Sequence, residues 1–291
     1  MTAVEARAVT RRFGTFTAVD RVDLDVGPGE IVGLIGANGA GKTTLIKMLL
    51  GVLTPTSGSV RMFGRPHSLA LRRRIGYVPQ NLGLYTDLSA TENLDFRAQI
   101  FGAAPGTVAA SSAVGDGFVG SMSLGAQRVV AFRAATQHAP DLLILDEPTS
   151  GVSPLARSEL WDLVHRAAEQ GAAVLVSTHH LDEAEQADRL VIMSRGNVVA
   201  DGTAAGITGD GQIVAVESDH WDAVFRHLDT LGCRLRLDGR VLRVLGTSVD
   251  AVGTELGRAG LEARVSSRPA NLEEVLIELD AAPAPTAGTA A

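Results

Sequence analysis

Apolar and polar positions alternate through Val4–Val9 and again through Val19–Val26, predicting two half-buried strands broken by Gly14 and by Gly27-Pro28-Gly29. Ile31–Ile35 is apolar without interruption, the pattern of a strand buried on both faces. Leu45, Ile46, Met48, Leu49 and Leu50 then recur at helical spacing up to Gly51. A Thr54–Gly58 turn leads to short strands at Ser59–Met62 and Ile75–Val78. Ser89-Ala90-Thr91-Glu92 has the spacing of a capping box and opens a helix to about Phe101. The pattern lapses over 102–121, where small residues without a helical stripe predict a loose surface segment. It resumes with a helix over Leu124–His138, a buried strand Leu142–Leu145 and a helix over Pro154–Gln170. A buried strand Ala173–Val176, a helix Leu181–Ala187 and two short strands near Leu190–Met193 and Asn197–Ala200 follow. Strands alternating with helices predict an α/β fold with a mostly parallel sheet and helices on both faces.

The pattern changes after Gly209-Asp210-Gly211. A strand (Gln212–Glu217), a helix (Trp221–Leu231), two strands meeting at Asp238-Gly239, a helix (Val249–Ala259) and a strand (Glu262–Ser267) follow. This βαββαβ order predicts a ferredoxin-like sandwich. A short helix over Leu272–Leu279 precedes an Ala/Pro/Thr tail with little to bury. The expected organisation is a first domain over 1–208, with a helical subdomain at about 81–140, an accessory domain over 209–280 and a disordered tail over 281–291.

Composition narrows the function classes. The 291 residues carry a net charge of −7, which argues against a nucleic-acid backbone as main partner. Lys42 and Lys47 are the only lysines among many arginines, which sets Lys42 apart. A single cysteine, Cys233, excludes an internal disulfide and a zinc cluster and fits a reducing cytosol. The charged stretch Met1–Arg12 lacks the apolar run of a signal peptide, and no apolar stretch approaches the ~20 residues that span a bilayer. Any membrane role is expected to run through a partner.

The candidate chemistry begins at Gly36-Ala37-Asn38-Gly39-Ala40-Gly41-Lys42-Thr43, between the buried strand and the helix. Glycines there let successive amides turn toward one anion at a helix N-terminus. Lys42 is placed to reach the β- and γ-phosphates of a nucleotide, and the Thr43 hydroxyl to hold Mg²⁺. Asp146 and Glu147 end another buried strand, with Asp146 suited to the metal and Glu147 to accepting a proton from water. His179, after Ser177-Thr178, is a candidate hydrogen-bond donor to the γ-phosphate, while His180 is expected in solvent or as a helix cap. Gln80 lies just past a strand, within reach of metal or water, and Phe13 is either an adenine platform or a core aromatic. Trp161 and Trp221 read as packing residues, Arg72-Arg73-Arg74 as a solvated face, and Cys233 as a buried residue inside a strand.

Taken together, Gly36–Thr44, Gln80, Met122–Gln127, Leu142–Glu147, Ser150–Pro154 and His179 occur in the order found in ATP-binding-cassette (ABC) ATPases, which the chain resembles over about residues 3–205. The resemblance implies a P-loop cassette with an antiparallel β subdomain and a helical subdomain, binding ATP and Mg²⁺. It implies that Gly39, Gly41, Lys42, Thr43 and Thr44 cradle phosphate, that Asp146 and Gln80 attend Mg²⁺, that Glu147 activates water and that His179 senses the γ-phosphate. Ser123 and Gly125 would act in trans on the nucleotide of a second cassette, and the Gln80 loop and helical subdomain would contact a membrane permease. The accessory domain and Pro269–Val275 resemble the extension of cassettes serving two-component exporters. The implied location is cytoplasmic, on the inner face of the membrane.

Three departures fall on the surfaces such proteins use for dimer closure and coupling. Ser123-Leu124-Gly125 stands where Ser-Gly-Gly is usual, Gly151-Val152-Ser153-Pro154 where Gly-Leu-Asp-Pro is usual, and 102–121 is short and weakly helical. Leucine removes the backbone freedom of glycine and adds bulk where a phosphate must approach. These features imply slow turnover, or pairing with a different cassette. A catalytically weak regulatory module and a soluble ABC protein acting on ribosomes are the competing functions.

Overall fold

Strands β1 (Val4–Phe13), β2 (Phe16–Val26), β3 (Ile31–Ile35) and β4 (Ser57–Met62) begin the chain, and in the computed structural model β1, β2 and β4 form an antiparallel sheet in the order β2-β1-β4. The structure describes residues 2–102 and 117–281, so most of the segment 102–121 and all but one residue of the 281–291 tail lie outside the described residues. β1 and β2 run beyond their apolar alternation because Arg11–Phe13 still pair with Phe16–Val19, and the ladder continues on backbone bonds after the side chains have reached solvent.

The chain divides into two units, Met1–Thr203 and Ala204–Ala291, five residues earlier than the glycine-marked boundary at 208/209. The main sheet of the first unit adds β5 (Ile75–Val78), β6 (Leu142–Asp146), β7 (Ala173–Thr178), β8 (Arg189–Ser194) and β9 (Asn197–Gly202), in the order β5-β6-β7-β3-β8-β9. All pairs are parallel except β8 with β9. Period-two alternation sends Leu142 and Ile144 to one face, against α1 (Lys42–Leu49) and the antiparallel sheet. Leu143 and Leu145 go to the other, against α4 (Leu124–Thr136) and α5 (Pro154–Glu169). Trp161 of α5 is buried in that second cluster.

Short α2 (Leu69–Arg72) escaped the sequence pattern, having no buried residue to mark it. Helix α3 (Ala90–Phe101) opens on the Ser89/Glu92 capping box. The expected helix at Leu181–Ala187 is a 3-10 helix, Leu181–Gln186. Arg72–Arg74 are exposed, with Arg74 also bonded to Asp141 at 2.7 Å and lying over the Phe63 ring at 3.8 Å.

The second unit holds α6 (Ala204–Thr208), β10 (Gln212–Glu217), α7 (Trp221–Thr230), β11 (Arg234–Asp238), β12 (Val241–Leu245), α8 (Val249–Arg258), β13 (Arg264–Pro269) and α9 (Leu272–Ala281). Its four strands are antiparallel in the order β11-β12-β10-β13. Leu242 and Val244 pack with Val224 and Leu228 of α7 and with Val252 and Leu256 of α8. The alternate residue Arg243 turns to the opposite face, where it pairs with the fully buried Glu274 of α9. Two expectations fail here. Trp221 starts α7 and is 41% exposed, and Cys233 lies just before β11, only half-buried against the core.

Candidate active site

The parallel register brings the carboxyl ends of three buried strands to one level: Ile35 of β3 lies beside Thr178 of β7, and Asp146 of β6 beside Ser177. Residues that follow these strands therefore converge without further design. After β3 the chain makes a tight loop into α1. Gly41, the α1 N-cap, has φ +105°, and a Cβ there would lie 2.5 Å from the Ala18 carbonyl oxygen. Gly39 is also left-handed, at φ +85°, but faces open space. The loop thus needs glycine for its backbone at one position and for contact as well at the other, which is how a phosphate cradle is built.

Lys42 is buried, and its ammonium donates to the carbonyls of Gly36 at 2.6 Å and Ala37 at 3.2 Å, 3.8 Å from Glu147 Oε1. Burial holds this ammonium below the usual lysine range, an effect that Glu147 and Asp146 oppose. The Ala40 amide is spent inside the loop on the Ala37 carbonyl at 3.1 Å, while Asn38 is exposed and Thr44 half-buried. The Thr43 hydroxyl lies 3.5 Å from Asp146 Oδ1. A hydroxyl and one carboxylate facing each other form a hard-oxygen donor pair that suits Mg²⁺ completed by phosphate and water.

Around Glu147 the geometry is tighter. Gln80 Nε2 donates to Glu147 Oε2 at 3.3 Å, and His179 Nδ1 lies 3.4 Å from the same oxygen. Lys42, Gln80, His179, Asp146 and Glu147 thus form one cluster, as the sequence predicts. Glu147 has φ +52°, a left-handed backbone that costs a non-glycine residue about 1–3 kcal/mol. Four fully buried aliphatic side chains on β6, each worth about 1.5–3 kcal/mol, outweigh that strain and fix the strand that delivers it.

Two contributors were missed. Ser177 is fully buried; its hydroxyl donates to Asp146 Oδ1 at 2.6 Å and accepts from the Glu147 amide at 3.0 Å. Its place beside His179 was the only available signal. Arg128 of α4, 5% exposed, donates to the carbonyls of Glu147 at 2.8 Å and Ser150 at 2.7 Å, and nothing in the sequence marks it. Tyr77 on β5 feels the cluster too: burial and the Asp146 charge push its phenol up to about 12.

Other expectations are corrected. Phe13 is not a core aromatic: it is 47% exposed, with the Arg11 guanidinium 4.6 Å from its ring centroid. His180 precedes the 3-10 helix but caps nothing, and its half-buried ring lies 4.2 Å from that of His179.

Ser123 and Gly125 head α4, with the Ser123 hydroxyl spent on capping its own helix through the Ala126 amide at 3.3 Å. Leu124 has right-handed helical backbone, so glycine freedom is not needed there. Its side chain, 39% exposed, leans on Gly151, where a Cβ would lie 3.1 Å from it; a Cβ on Gly125 would lie 2.8 Å from that of Ala156. Ser153 caps α5, accepting from the Ala156 amide at 3.3 Å, a task that serine and aspartate perform equally well.

The ABC transporter family model matches residues 19–150, and an AAA domain model matches residues 119–183. "Nod factor export ATP-binding protein I" of Cupriavidus metallidurans is 33% identical over 298 residues, spanning 96% of this chain and 98% of the relative. "Probable multidrug ABC transporter ATP-binding protein YbhF" of Escherichia coli is 39% identical over 219 residues, 69% of this chain but only 37% of that longer protein. A solved ATP-binding subunit of an ABC transporter superposes with a TM-score of 0.63 at 27% identity, over 88% of this chain and 99% of that one. A dimeric cassette bound to ADP and Pi shares the fold, at a TM-score of 0.62 and 24% identity over 69% of this chain and 98% of that one.

Proposed function

The chain belongs to the ABC transporter family, and from that premise we propose that it is the ATP-hydrolysing subunit that powers export through a separate membrane protein. The observation that carries this reading is the convergence of Lys42, Gln80 and His179 on the Glu147 carboxylate, beside the glycine loop and the Thr43–Asp146 pair. The full-length match to a Nod factor export protein and the match to a multidrug transporter protein support the direction of transport. Among the described residues no helix is long and apolar enough to cross a membrane, so a cytoplasmic chain held at the inner face by its permease is the arrangement proposed.

In this mechanism the loop amides of Gly36–Thr44 and the Lys42 ammonium bind the phosphates, and the exposed Phe13 ring serves adenine. Thr43 and Asp146 would hold Mg²⁺, attended by Gln80, and the ion would supply positive charge to neutralise that developing on the phosphates. Glu147 takes the proton of the attacking water, while His179 and Gln80 fix that water and the γ-phosphate by hydrogen bonds. Ser123 and Gly125 serve the nucleotide of a second cassette, of the same or a different chain. We assign the second unit to the ferredoxin-like class on its βαββαβ order and its β11-β12-β10-β13 sheet.

A regulatory module that binds ATP with little turnover is the second reading, favoured by the bulk of Leu124 at the head of α4. Steady-state Mg-ATPase assays on the wild-type chain, alone and with any membrane protein that copurifies with it, separate the two. Tight Mg-ATP binding with no phosphate release in either setting defeats the transport reading.

A further inference from the structure

We infer that Arg128 is a positioning residue that holds Glu147 in its working attitude and ties it to the helix that begins with Ser123 and Gly125. The inference rests on the assignment of Glu147 as the base. Arg128 lies in the second turn of α4 and is buried, yet among the described residues it faces no carboxylate at hydrogen-bond distance. Its two terminal nitrogens go to main-chain oxygens, of Glu147 and of Ser150, and its Nε has no hydrogen-bond partner among the described residues. A buried guanidinium used this way is a fork fixing two points of backbone.

Those two points flank the turn after β6. The peptide before Glu147 is held from the β7 side, since its N–H donates to the Ser177 carbonyl at 3.1 Å and to the Ser177 hydroxyl at 3.0 Å. The peptide after Glu147 is held by Arg128. Together they clamp a residue whose φ of +52° would otherwise relax toward extended backbone, swinging its carboxylate away from Gln80 and His179. The Ser150 contact extends the fork to the loop ending in Ser153, the α5 cap. Because the same rigid helix presents Ser123 and Gly125 to a partner's nucleotide, displacement of its N-terminus is felt at the Glu147 carbonyl. One arginine thus links the trans-acting end of the chain to its own base.

Arg128→Lys and Arg128→Gln, made in the full chain, test this through kcat and KM for Mg-ATP, calorimetric Mg-ATP affinity and a thermal melt on the same preparations. The expected result is a loss in kcat of about tenfold or more in Arg128→Gln and a smaller loss in Arg128→Lys, with KM and affinity within about threefold of wild type, because misplacing a reacting group by about 1 Å costs up to about a hundredfold without touching the binding groups. A folded Arg128→Gln with wild-type kcat overturns the inference. So does affinity falling in step with kcat, or failure of both variants to fold, either of which makes Arg128 a scaffold residue only. A wild-type chain that hydrolyses while Glu147→Gln does so equally well instead removes the base assignment on which the inference stands.

Discussion

The edge of the first unit proposed to hold phosphate and the edge headed by Ser123 and Ser153 use polar residues in opposite ways. At the first, polar residues are buried together: Ser177 is hydrogen-bonded to the Asp146 carboxylate and the Glu147 amide, and Lys42 forms an ion pair with Glu147 at 3.8 Å. At the second, Ser123 and Ser153 spend their hydroxyls on capping α4 and α5, and the contacts between the two are apolar, Leu124 on Gly151 and Gly125 on Ala156. The side chains of the first edge that meet one another all come from one chain. The second is built to be steady and smooth, and the chemistry proposed for it needs a second cassette. Two departures from the usual family sequence, Leu124 and Ser153, sit on the second edge, where they leave the local fold intact.

The contrast is sharpest if its strongest member is removed. Glu147→Gln is expected to lower kcat by about two to four orders of magnitude, the usual worth of a positioned general base, with Mg-ATP affinity retained; phosphate release near the wild-type rate would assign the proton transfer elsewhere. Next comes Lys42→Ala, for which calorimetry should show Mg-ATP affinity weakened at least about tenfold, as loss of a charge-assisted contact worth about 1.5–3 kcal/mol requires. On the other edge, Leu124→Gly should raise steady-state turnover by about threefold or more at unchanged affinity of the isolated chain, because it clears bulk without altering a helical backbone that glycine is not needed for. No gain in rate would show that the leucine, lying on Gly151, already leaves the phosphate approach open. Ser153→Asp should shift the thermal midpoint little, since both residues cap helices within a few tenths of a kcal/mol of each other.

The smallest effect is at Tyr77. In the unfolded chain its phenol ionises near 10, while burial first and Asp146 second hold it to about 12 in the fold. The unfolded state therefore releases its proton first, so stability falls as pH rises between those values. Ultraviolet titration should show a phenolate step near pH 12 that disappears in Tyr77→Phe.

What the sequence made legible follows from what each feature depends on. The glycine loop was legible because left-handed backbone at Gly39 and Gly41 leaves few alternatives in residue type. Asp146, Glu147 and His179 were legible because an unbroken apolar run announces a buried strand, and polar residues ending such a strand stand at the sheet's carboxyl edge. The left-handed backbone of Glu147 was not, since it arises from the Ser177 and Arg128 bonds, made by residues distant in sequence. In the sequence Leu124 shows only as bulk where glycine is usual, because its contact with Gly151 exists only after α4 packs beside the turn following β6. Trp221 failed for the opposite reason: a large aromatic suggests a core, yet the first position of α7 faces away from one.

The fully buried Glu274 has a practical consequence for anyone trimming this chain. Asn271 and Glu274 bond each other's amides at 2.8 and 3.0 Å, so the start of α9 is self-capped as well as anchored to Arg243. Shortening the protein upstream of Leu272 would bare the strand face bearing Ile213, Ala215 and Leu245 and strand a cation there, inviting precipitation during expression. Cuts, purification handles and fluorescent labels belong beyond Ala281.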